Sequence, residues 1–325
     1  MQKRLPGMNI EKPDLSVEIA GIKMNNPIMV ASGTFGYGTE FSEVEGFSND
    51  EIGAIVLKGT TLNKTRGNPV PRIAEVDCGI INSIGLQNPG IEFVLKNYIP
   101  ELRQYNTKII LNIAGYSEDE YREITKRIND ADGVHGIEVN ISCPNIKEGG
   151  MQFCLDPKMT TRVIETVRKE TKLPLIAKLS PNVTDIVQIA KAAIEGGADA
   201  LSLINTVTAM AIDTKTKRPK LGANFGGLSG PAIKPIAIHK VFQTYQYVKQ
   251  YVTDRKIPLI GIGGIENADD IIEFILAGAN AVQIGTSTMI YKTTFEKIIS
   301  DIAKRLIELN EKDINNLIGK VILNT

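Results

Sequence analysis

Eight short runs rich in β-branched residues recur along the chain, and their spacing restricts the possible fold more than any other feature. Each run is almost continuously apolar at its start and polar or glycine-rich at its end, which is typical of buried parallel strands. The runs cover residues 28–33, 54–60, 108–115, 136–143, 175–180, 200–206, 259–265 and 281–287. A chain with this pattern is expected to form a largely parallel sheet.

Helical patterns lie between most of these runs. They cover residues 117–129, 157–170, 185–196, 231–251, 268–277 and 294–310. Strands that alternate with helices indicate right-handed βαβ units. The length of 325 residues suits either two average domains or one large barrel. Because there are eight units, we predict an α/β protein with one TIM (β/α)8-barrel domain spanning residues 1–325.

Segments outside the alternation predict where the barrel is open and where it is closed. Residues 15–26 read as a small β-hairpin ahead of the first strand, able to cap the bottom of the barrel. Long loops at residues 61–90, 143–155 and 206–230 follow the second, fourth and sixth strands. Loops of this length in a compact domain are usually functional. Since all three follow carboxyl ends of strands, we expect them to crowd one mouth of the barrel.

Charge and cysteine content exclude several classes of protein. Lys plus Arg and Asp plus Glu each number 37, so a broad nucleic-acid interface is not expected. No apolar run approaches the roughly 18 residues of a membrane span, and the first residues lack the apolar centre of a signal peptide. We therefore expect a cytoplasmic protein that does not contact membranes. Three cysteines without a C-x-x-C motif fit neither a disulfide framework nor a cysteine-ligated cluster.

Polar residues at the ends of the predicted strands indicate a ligand site, because barrels of this kind place their chemistry there. The polar and glycine residues at these strand ends are Ser32, Lys58, Asn112, Asn140, Cys143, Lys178, Asn205, Thr206, Gly263, Gly264, Gly285 and Thr286. Lysines and asparagines inside apolar strands are costly to bury without partners. Amide side chains both donate and accept, which suits a planar ligand with amide or imide edges.

Glycine-rich ends of the last two strands favour a phosphate site. Exposed backbone N–H groups before a helix bind phosphate, and barrels hold phosphate after strands seven and eight. A tight turn alone is the simpler alternative. The motif that starts at Gly261 has Glu266 where a dinucleotide fingerprint needs its third glycine. The pattern therefore favours a mononucleotide over NAD. We expect no metal site.

Cys143 is the candidate base, because it follows the fourth strand and begins a Cys-Pro-Asn turn. A free thiol has a pKa of about 8.5, and a nearby cation lets it exchange a proton near neutral pH. The alternative is a small buried hydrophobic residue, the role we assign to Cys78 and Cys154. His135 precedes the fourth strand and His239 lies within a helix, so both are expected to be structural.

Four segments resemble the class 1 dihydroorotate dehydrogenases, in particular the NAD-linked class 1B catalytic subunit. They are residues 82–90 (NSIGLQNPG), 140–145 (NISCPN), 177–182 (AKLSPN) and 261–265 (GIGGI). The resemblance runs from about Leu15 to the last helix. It implies an FMN-containing barrel that oxidises (S)-dihydroorotate to orotate in pyrimidine (UMP) biosynthesis. Membrane-bound class 2 relatives have an N-terminal membrane-associating extension and a serine base, and this chain matches neither feature.

The resemblance also implies roles for individual residues. Cys143 is the expected general base, removing a proton from C5 of dihydroorotate while a hydride passes from C6 to flavin N5. The implied substrate-binding residues are Lys58, Asn82, Ser83, Ile84, Gly85, Leu86, Asn140, Asn205 and Thr206, with Asn145 as a further contact. The implied FMN-binding residues are Ser32, Lys58, Gly59, Asn112, Asn140, Lys178, Ile204, Gly230, Gly263, Gly264, Gly285 and Thr286. Lys178 is expected near the flavin pyrimidine ring, where a cation stabilises the reduced form.

The class 1B resemblance implies a partner. Such enzymes are heterotetramers of two plus two subunits with a homodimeric core, and the second subunit carries FAD and a [2Fe-2S] cluster that pass electrons to NAD+. This chain has neither the dinucleotide fingerprint nor the cysteine cluster that these groups need. The two groups are therefore expected on the partner.

Three alternative functions remain open at this stage. A fumarate-linked class 1A homodimer is the nearest, although the Ile-Gly-Leu-Gln-Asn sequence at residues 84–88 favours class 1B. A phosphate-binding barrel lyase or isomerase would use Lys178 to form a Schiff base. A non-catalytic barrel that senses a nucleotide would bind FMN or orotate without turnover.

Overall fold

The computed structural model describes residues 12–42, 44, 47–129, 131–142, 144–145, 151–152, 155–290 and 295–324. Its strands are β1 (Val17–Ile19), β2 (Ile22–Met24), β3 (Ile28–Val30), β4 (Ala54–Val56), β5 (Ile73–Val76), β6 (Gly79–Asn82), β7 (Lys108–Ile113), β8 (Gly136–Asn140), β9 (Pro144–Asn145), β10 (Met151–Gln152), β11 (Leu175–Leu179), β12 (Ala200–Leu203), β13 (Val207–Ala209), β14 (Ile212–Asp213), β15 (Arg218–Pro219), β16 (Gly226–Ser229), β17 (Leu259–Ile262) and β18 (Ala281–Ile284). Its α-helices are α1 (Ile91–Leu102), α2 (Glu118–Asn129), α3 (Pro157–Glu170), α4 (Ile186–Glu195), α5 (Lys234–Tyr251), α6 (Ala268–Ala277), α7 (Thr286–Ile290) and α8 (Phe295–Glu308). Short 3-10 helices cover Asn49–Glu51, Pro231–Ile233 and Ile314–Leu317.

Eight parallel strands close into a barrel, which confirms the predicted TIM fold. The order around the barrel is β3, β4, β7, β8, β11, β12, β17 and β18, after which β18 pairs with β3. Each of the eight predicted runs contains one of these strands. The strands are almost wholly buried because helices cover the outer face of the barrel and side chains fill its interior.

Local sequence signals explain the helices that surround the barrel. In α2, buried Tyr121, Ile124 and Ile128 recur at helical spacing and form one apolar face. Asp156 caps the start of α3 by accepting hydrogen bonds from the backbone N–H groups of Lys158 and Met159. The predicted bounds of α3 and α6 are the observed ones.

The N-terminal hairpin of β1 and β2 covers the bottom of the barrel, as predicted. Its strands pair antiparallel, with Val17 opposite Met24. A Cβ built on Gly53, before β4, would lie 3.2 Å from the Met24 Cβ. One built on Gly136, at the start of β8, would lie 2.9 Å from Ile22 Cδ1. Both glycines mark the amino ends of barrel strands, so the hairpin lies opposite the mouth.

All three long loops contain strands that the sequence patterns did not predict. Strands β5 and β6 from the first loop join β16 and β13 from the third in an antiparallel sheet of order β13-β16-β6-β5. Helix α1 follows the first loop and was also missed, because Gly90 provides no side-chain cap and Pro100 lies inside the helix. No helix among the described residues is long and apolar enough to span a membrane.

Candidate active site

A cavity of about 700 Å³ opens at the carboxyl ends of the barrel strands, beneath the antiparallel sheet. Predicted site residues that line it are Ser32, Lys58, Gly59, Asn82, Ser83, Ile84, Gly85, Leu86, Asn140, Lys178, Ile204, Asn205, Thr206, Gly230, Gly263, Gly264, Gly285 and Thr286. Asn112 is buried just below the cavity. Cys143 and Cys154 lie outside the described residues, and Asn145 is described only as part of β9. The predicted residues therefore converge on one mouth of the barrel.

Two asparagines and a serine form a hydrogen-bonded cluster at the ends of β8 and β12. Asn205 Nδ2 donates to Asn140 Oδ1 at 3.3 Å and to Ser142 Oγ at 3.0 Å. From behind, the Tyr121 hydroxyl donates to the Asn140 backbone oxygen at 2.6 Å. The amides are therefore held in place before any ligand binds, which reduces the ordering cost of binding.

Hydrogen bonds hold the start of the segment that carries Ser83 and Gly85. Asn82 Nδ2 donates to the Gly227 backbone oxygen at 3.2 Å, and Asn68 Nδ2 donates to Ser83 Oγ at 2.6 Å. Gly85 has a φ of +70°, and a Cβ there would lie 2.5 Å from Asn68. The turn therefore requires glycine, because a side chain would meet both strain and a clash.

Lys58 brings a positive charge to the cavity. Its backbone N–H donates to the Gly36 backbone oxygen at 3.0 Å, and its side chain is half-buried. Burial lowers the pKa of its ammonium group; the nearby Glu40 carboxylate opposes this shift and the Arg72 guanidinium adds to it. Among the residues the structure describes, no carboxylate forms an ion pair with Lys58. The ammonium is free to pair with an anionic ligand.

The predicted phosphate site contains three glycines whose backbone conformations strongly favour glycine. Gly230, Gly263 and Gly264 have φ values of +100°, +132° and +72°. A Cβ on Gly264 would lie 2.8 Å from the Lys234 Cβ. Next to them, Thr286 begins α7 and its Oγ1 donates to Ser229 Oγ at 2.8 Å. The absence of side chains leaves backbone groups at the cavity wall.

Below the cavity lies a polar cluster that the sequence analysis missed. The fully buried carboxylate of Glu138 accepts hydrogen bonds from Asn112 Nδ2 (2.7 Å), Lys178 Nζ (3.4 Å), Ser202 Oγ (2.8 Å) and Gln283 Nε2 (2.6 Å). A charged or amide residue inside an apolar strand was the signal that identified Lys178. The same signal was present at Glu138 in β8 and at Gln283 in β18.

Several cavity residues were not predicted because they lie beyond the ends of the barrel strands, either on connecting loops or in the antiparallel sheet over the mouth. They are Asn68, Tyr116, Ser142, Ser180, Asn182, Thr208 and Ser229. Asn182 could have been identified, since it lies in one of the four resembling segments. Its Nδ2 donates to the Thr206 backbone oxygen at 3.0 Å, and its Oδ1 accepts from the Thr208 backbone N–H at 2.9 Å.

The residues set aside as structural that the structure describes, Cys78, His135 and His239, do not line this cavity. The prediction that Cys78 is a small buried hydrophobic residue is wrong, because the residue lies in the tight turn between β5 and β6 and its free thiol is exposed. His135 precedes β8 at the bottom of the barrel, where its Nδ1 accepts a hydrogen bond from the Ile109 backbone N–H at 3.1 Å. Burial lowers the pKa of His135, and the Lys108 charge adds to that shift.

Paired amides, a free lysine and a glycine-lined wall at the mouth of a closed barrel define a (β/α)8-barrel enzyme that binds a small, polar, anionic ligand. The family model for dihydroorotate dehydrogenase matches residues 14–306. The chain belongs to the dihydroorotate dehydrogenase family.

Full-length relatives agree with this assignment, and a solved structure shares the fold. The chain is 48% identical to dihydroorotate dehydrogenase B (NAD(+)), catalytic subunit, from Geobacter sp. strain M21, over 97% of this chain and all of that protein. It is 49% identical to the protein of the same name from Geotalea uraniireducens, over 96% of this chain and 99% of the relative. A crystal structure of the Eimeria tenella enzyme in complex with ferulenol shares the fold, with a TM-score of 0.77, 24% identity and coverage of 97% and 91%. These findings confirm the predicted family and favour the NAD-linked class over the alternatives.

Proposed function

We propose that this chain is the catalytic subunit of an NAD-linked dihydroorotate dehydrogenase and oxidises (S)-dihydroorotate to orotate in pyrimidine biosynthesis. The observation that carries the proposal is the convergence of Lys58 with the Asn140–Asn205 pair in one cavity at the barrel mouth. Full-length similarity to NAD-linked catalytic subunits supports it.

The substrate presents the groups that these residues complement. Dihydroorotate has a carboxylate next to a ring with alternating carbonyl and N–H groups. The ammonium of Lys58 can pair with the carboxylate, while asparagine amides donate to ring carbonyls and accept from ring N–H groups. Asn82, Ser83, Ile84, Gly85, Leu86, Asn140, Asn205 and Thr206 complete the proposed substrate site. Ile84 and Leu86 add apolar surface that excludes water.

The residues present also fit FMN. Nothing lies within 4 Å of a Cβ built on Gly33, a cavity residue that follows β3, so the cavity has room beside the end of this strand. The proposed FMN residues are Ser32, Lys58, Gly59, Asn112, Asn140, Lys178 and Ile204 around the ring system, with Gly230, Gly263, Gly264, Gly285 and Thr286 at the phosphate. Backbone N–H groups would hold the phosphate because glycine leaves them uncovered. FMN, when bound, would accept the hydride removed from the substrate.

We assign the general base to Cys143. Its described neighbour Ser142 lines the cavity, and Ser142 Oγ accepts a hydrogen bond from Asn205. A thiolate at position 143 would remove the C5 proton, which is weakly acidic because it lies next to a carbonyl group. Fixed amides at Asn140 and Asn205 would hold the ring so that this C–H meets the sulfur.

The relatives' name, catalytic subunit, implies a second subunit. We propose that this partner carries FAD and a [2Fe-2S] cluster, that it assembles with a homodimer of this chain as two plus two, and that the complex is cytoplasmic. Purification from the native host tests this directly. Iron–sulfur absorbance and NAD+-dependent turnover in the copurified complex are expected, whereas a homodimer reoxidised by fumarate alone would contradict the proposal.

The activity test uses the purified chain reconstituted with FMN under anaerobic conditions. We expect the protein to bind one FMN per chain, and the visible absorbance of the oxidised flavin to bleach when dihydroorotate is added. Protein that binds no FMN, or bound FMN that dihydroorotate leaves oxidised, would contradict the proposed function. Borohydride trapping with substrate provides the control for a Schiff base at Lys178, and no adduct is expected.

A further inference from the structure

Glu138 is the one carboxylate in the described polar cluster below the cavity, and it is completely buried. Its Oε1 accepts from Asn112 Nδ2 at 2.7 Å and from Lys178 Nζ at 3.4 Å. Its Oε2 accepts from Ser202 Oγ at 2.8 Å and from Gln283 Nε2 at 2.6 Å. All four neighbours are donors, so the central group must act as an acceptor at both of its oxygens.

This arrangement decides which way the two neighbouring amides face. Because Asn112 Nδ2 is turned to Glu138, its Oδ1 is turned away and has no hydrogen-bond partner among the described residues. A Cβ built on Gly59, which lines the cavity, would lie 3.0 Å from this oxygen. Gln283 is oriented in the same way, with a buried Oε1 that lacks a described partner. An amide in place of the carboxylate would remove this orientation, since it both donates and accepts.

The carboxylate also provides the counter-charge for Lys178. The side chain of Lys178 is 7% exposed and that of Glu138 is 0% exposed, yet Lys178 reaches the cavity wall. Removing one partner of a buried ion pair is strongly unfavourable because the other charge is left uncompensated. Glu138 therefore holds a cation at a place that water scarcely reaches.

We propose that Glu138 is a positioning residue that acts through Lys178 and Asn112 to fix the charge and the acceptor atom facing a bound planar ring. The proposal rests on the proposed FMN function. The ring edge that suits Lys178 and Asn112 has an acceptor, such as a carbonyl oxygen, opposite the Lys178 ammonium. It also has an N–H group near Gly59, where the Asn112 Oδ1 can accept. A flavin pyrimidine ring carries both groups, and Glu138 itself does not line the cavity.

The test measures FMN affinity of the apoprotein by quenching of FMN fluorescence. Glu138→Gln is expected to weaken binding at least about tenfold, the change that corresponds to loss of one charge-assisted contact. The matched control is Ser202→Ala, which removes a donor to Oε2 and leaves the carboxylate and Lys178 in place; its affinity should stay within about threefold of wild type. Glu138→Asp keeps the charge on a shorter side chain and should bind with intermediate affinity.

A mutant cycle separates positioning from general structural support. If Glu138 acts through Lys178 and Asn112, adding Glu138→Gln to a Lys178→Met/Asn112→Ala background should cost little more FMN affinity than that background alone. The visible spectrum of bound FMN should change in the same way in the single variants Glu138→Gln and Lys178→Met. The proposal would be overturned if the separate losses of FMN affinity multiplied in the combined variant. It would also be overturned if Glu138→Gln bound FMN as tightly as Ser202→Ala does. If Glu138→Gln does not fold, equal binding by Glu138→Asp and Ser202→Ala overturns it. Wild-type protein that takes up no FMN would instead refute the proposed function.

Discussion

Lys58 carries the positive charge of its ammonium group at the cavity, and burial makes this group lose its proton more easily. Its pKa is lowered from 10.5, chiefly by desolvation. As the pH rises through the lowered value, the ammonium loses its proton and with it the attraction for a carboxylate. Substrate binding should therefore weaken at a lower pH than an exposed lysine would allow.

Lys58→Met tests this at the residue scale. A charge-assisted hydrogen bond contributes about 1.5–3 kcal/mol, so KM for dihydroorotate should rise about tenfold or more at neutral pH. The alkaline rise in KM seen in wild type should also disappear. Lys64→Met, an exposed lysine on the same loop, is the control and should match wild type in steady-state kinetics. Equal KM values for the two variants would remove Lys58 from the substrate site.

Cys143→Ala tests the base. General base catalysis contributes about 10²–10⁴-fold, so flavin reduction by dihydroorotate should slow by at least about 100-fold. FMN affinity should be unchanged, because the proposed FMN contacts come from other residues. Cys78→Ala changes an exposed thiol away from the cavity and should reduce flavin at the wild-type rate in stopped-flow experiments. Similar rates in the two variants would contradict the assignment.

Among the elements, the antiparallel sheet over the mouth depends on glycine at two close approaches. A Cβ on Gly226 would lie 2.2 Å from the Asn82 backbone oxygen, and one on Gly227 would lie 1.9 Å from Thr206 Oγ1. Strand β16 therefore packs directly against two residues of the proposed substrate site. Any side chain at these positions must displace them.

Gly227→Ala should accordingly affect binding and stability together. Displacing Thr206 is expected to raise KM several-fold, and overpacking should lower the free energy of unfolding by about 1–3 kcal/mol. Urea denaturation and steady-state kinetics measure the two effects. Leu228→Val in the same strand is the control for stability, because it shortens a side chain without adding contact to Thr206. A wild-type KM in Gly227→Ala would show that β16 does not position the site.

For the molecule as a whole, the barrel separates stability from chemistry along its axis. The hairpin of β1 and β2 buries Ile22 against the amino ends of the strands, and the cavity opens at the opposite end. Substitutions at the bottom should change the free energy of unfolding and leave the site intact.

Ile22→Ala measures that separation. Truncating a buried isoleucine should lower the free energy of unfolding by about 2–5 kcal/mol, while KM and FMN affinity stay at wild-type values. Both proteins must be unfolded at the same ratio of FMN to its Kd, because ligand at 100 times Kd adds about 2.7 kcal/mol. Lys23→Ala, on the exposed face of the same strand, should change stability by no more than about 0.5 kcal/mol. A loss of FMN affinity in Ile22→Ala would contradict the separation.

The sequence alone was sufficient to predict the barrel and most of the residues at its mouth. Apolar runs that end in polar residues identify strands and their active ends locally. The sequence is therefore enough to predict Lys58, Asn140, Lys178 and Asn205 as site residues. Helix α1 is not predicted, because Gly90 provides no side-chain cap at its start and Pro100 interrupts the helical pattern within it. Glu138 and Gln283 carried the same signal as Lys178 and were overlooked.

Only the tertiary structure decided the antiparallel sheet and the Glu138 cluster. Asn82 bonds Gly227, and Glu138 bonds Gln283, each across 145 residues. Periodicity is a property of neighbouring residues, so it determines which segments form strands and which ends are polar. Pairing across such distances depends on closure of the barrel, which brings distant strands side by side and sets the partner that each buried polar group must find.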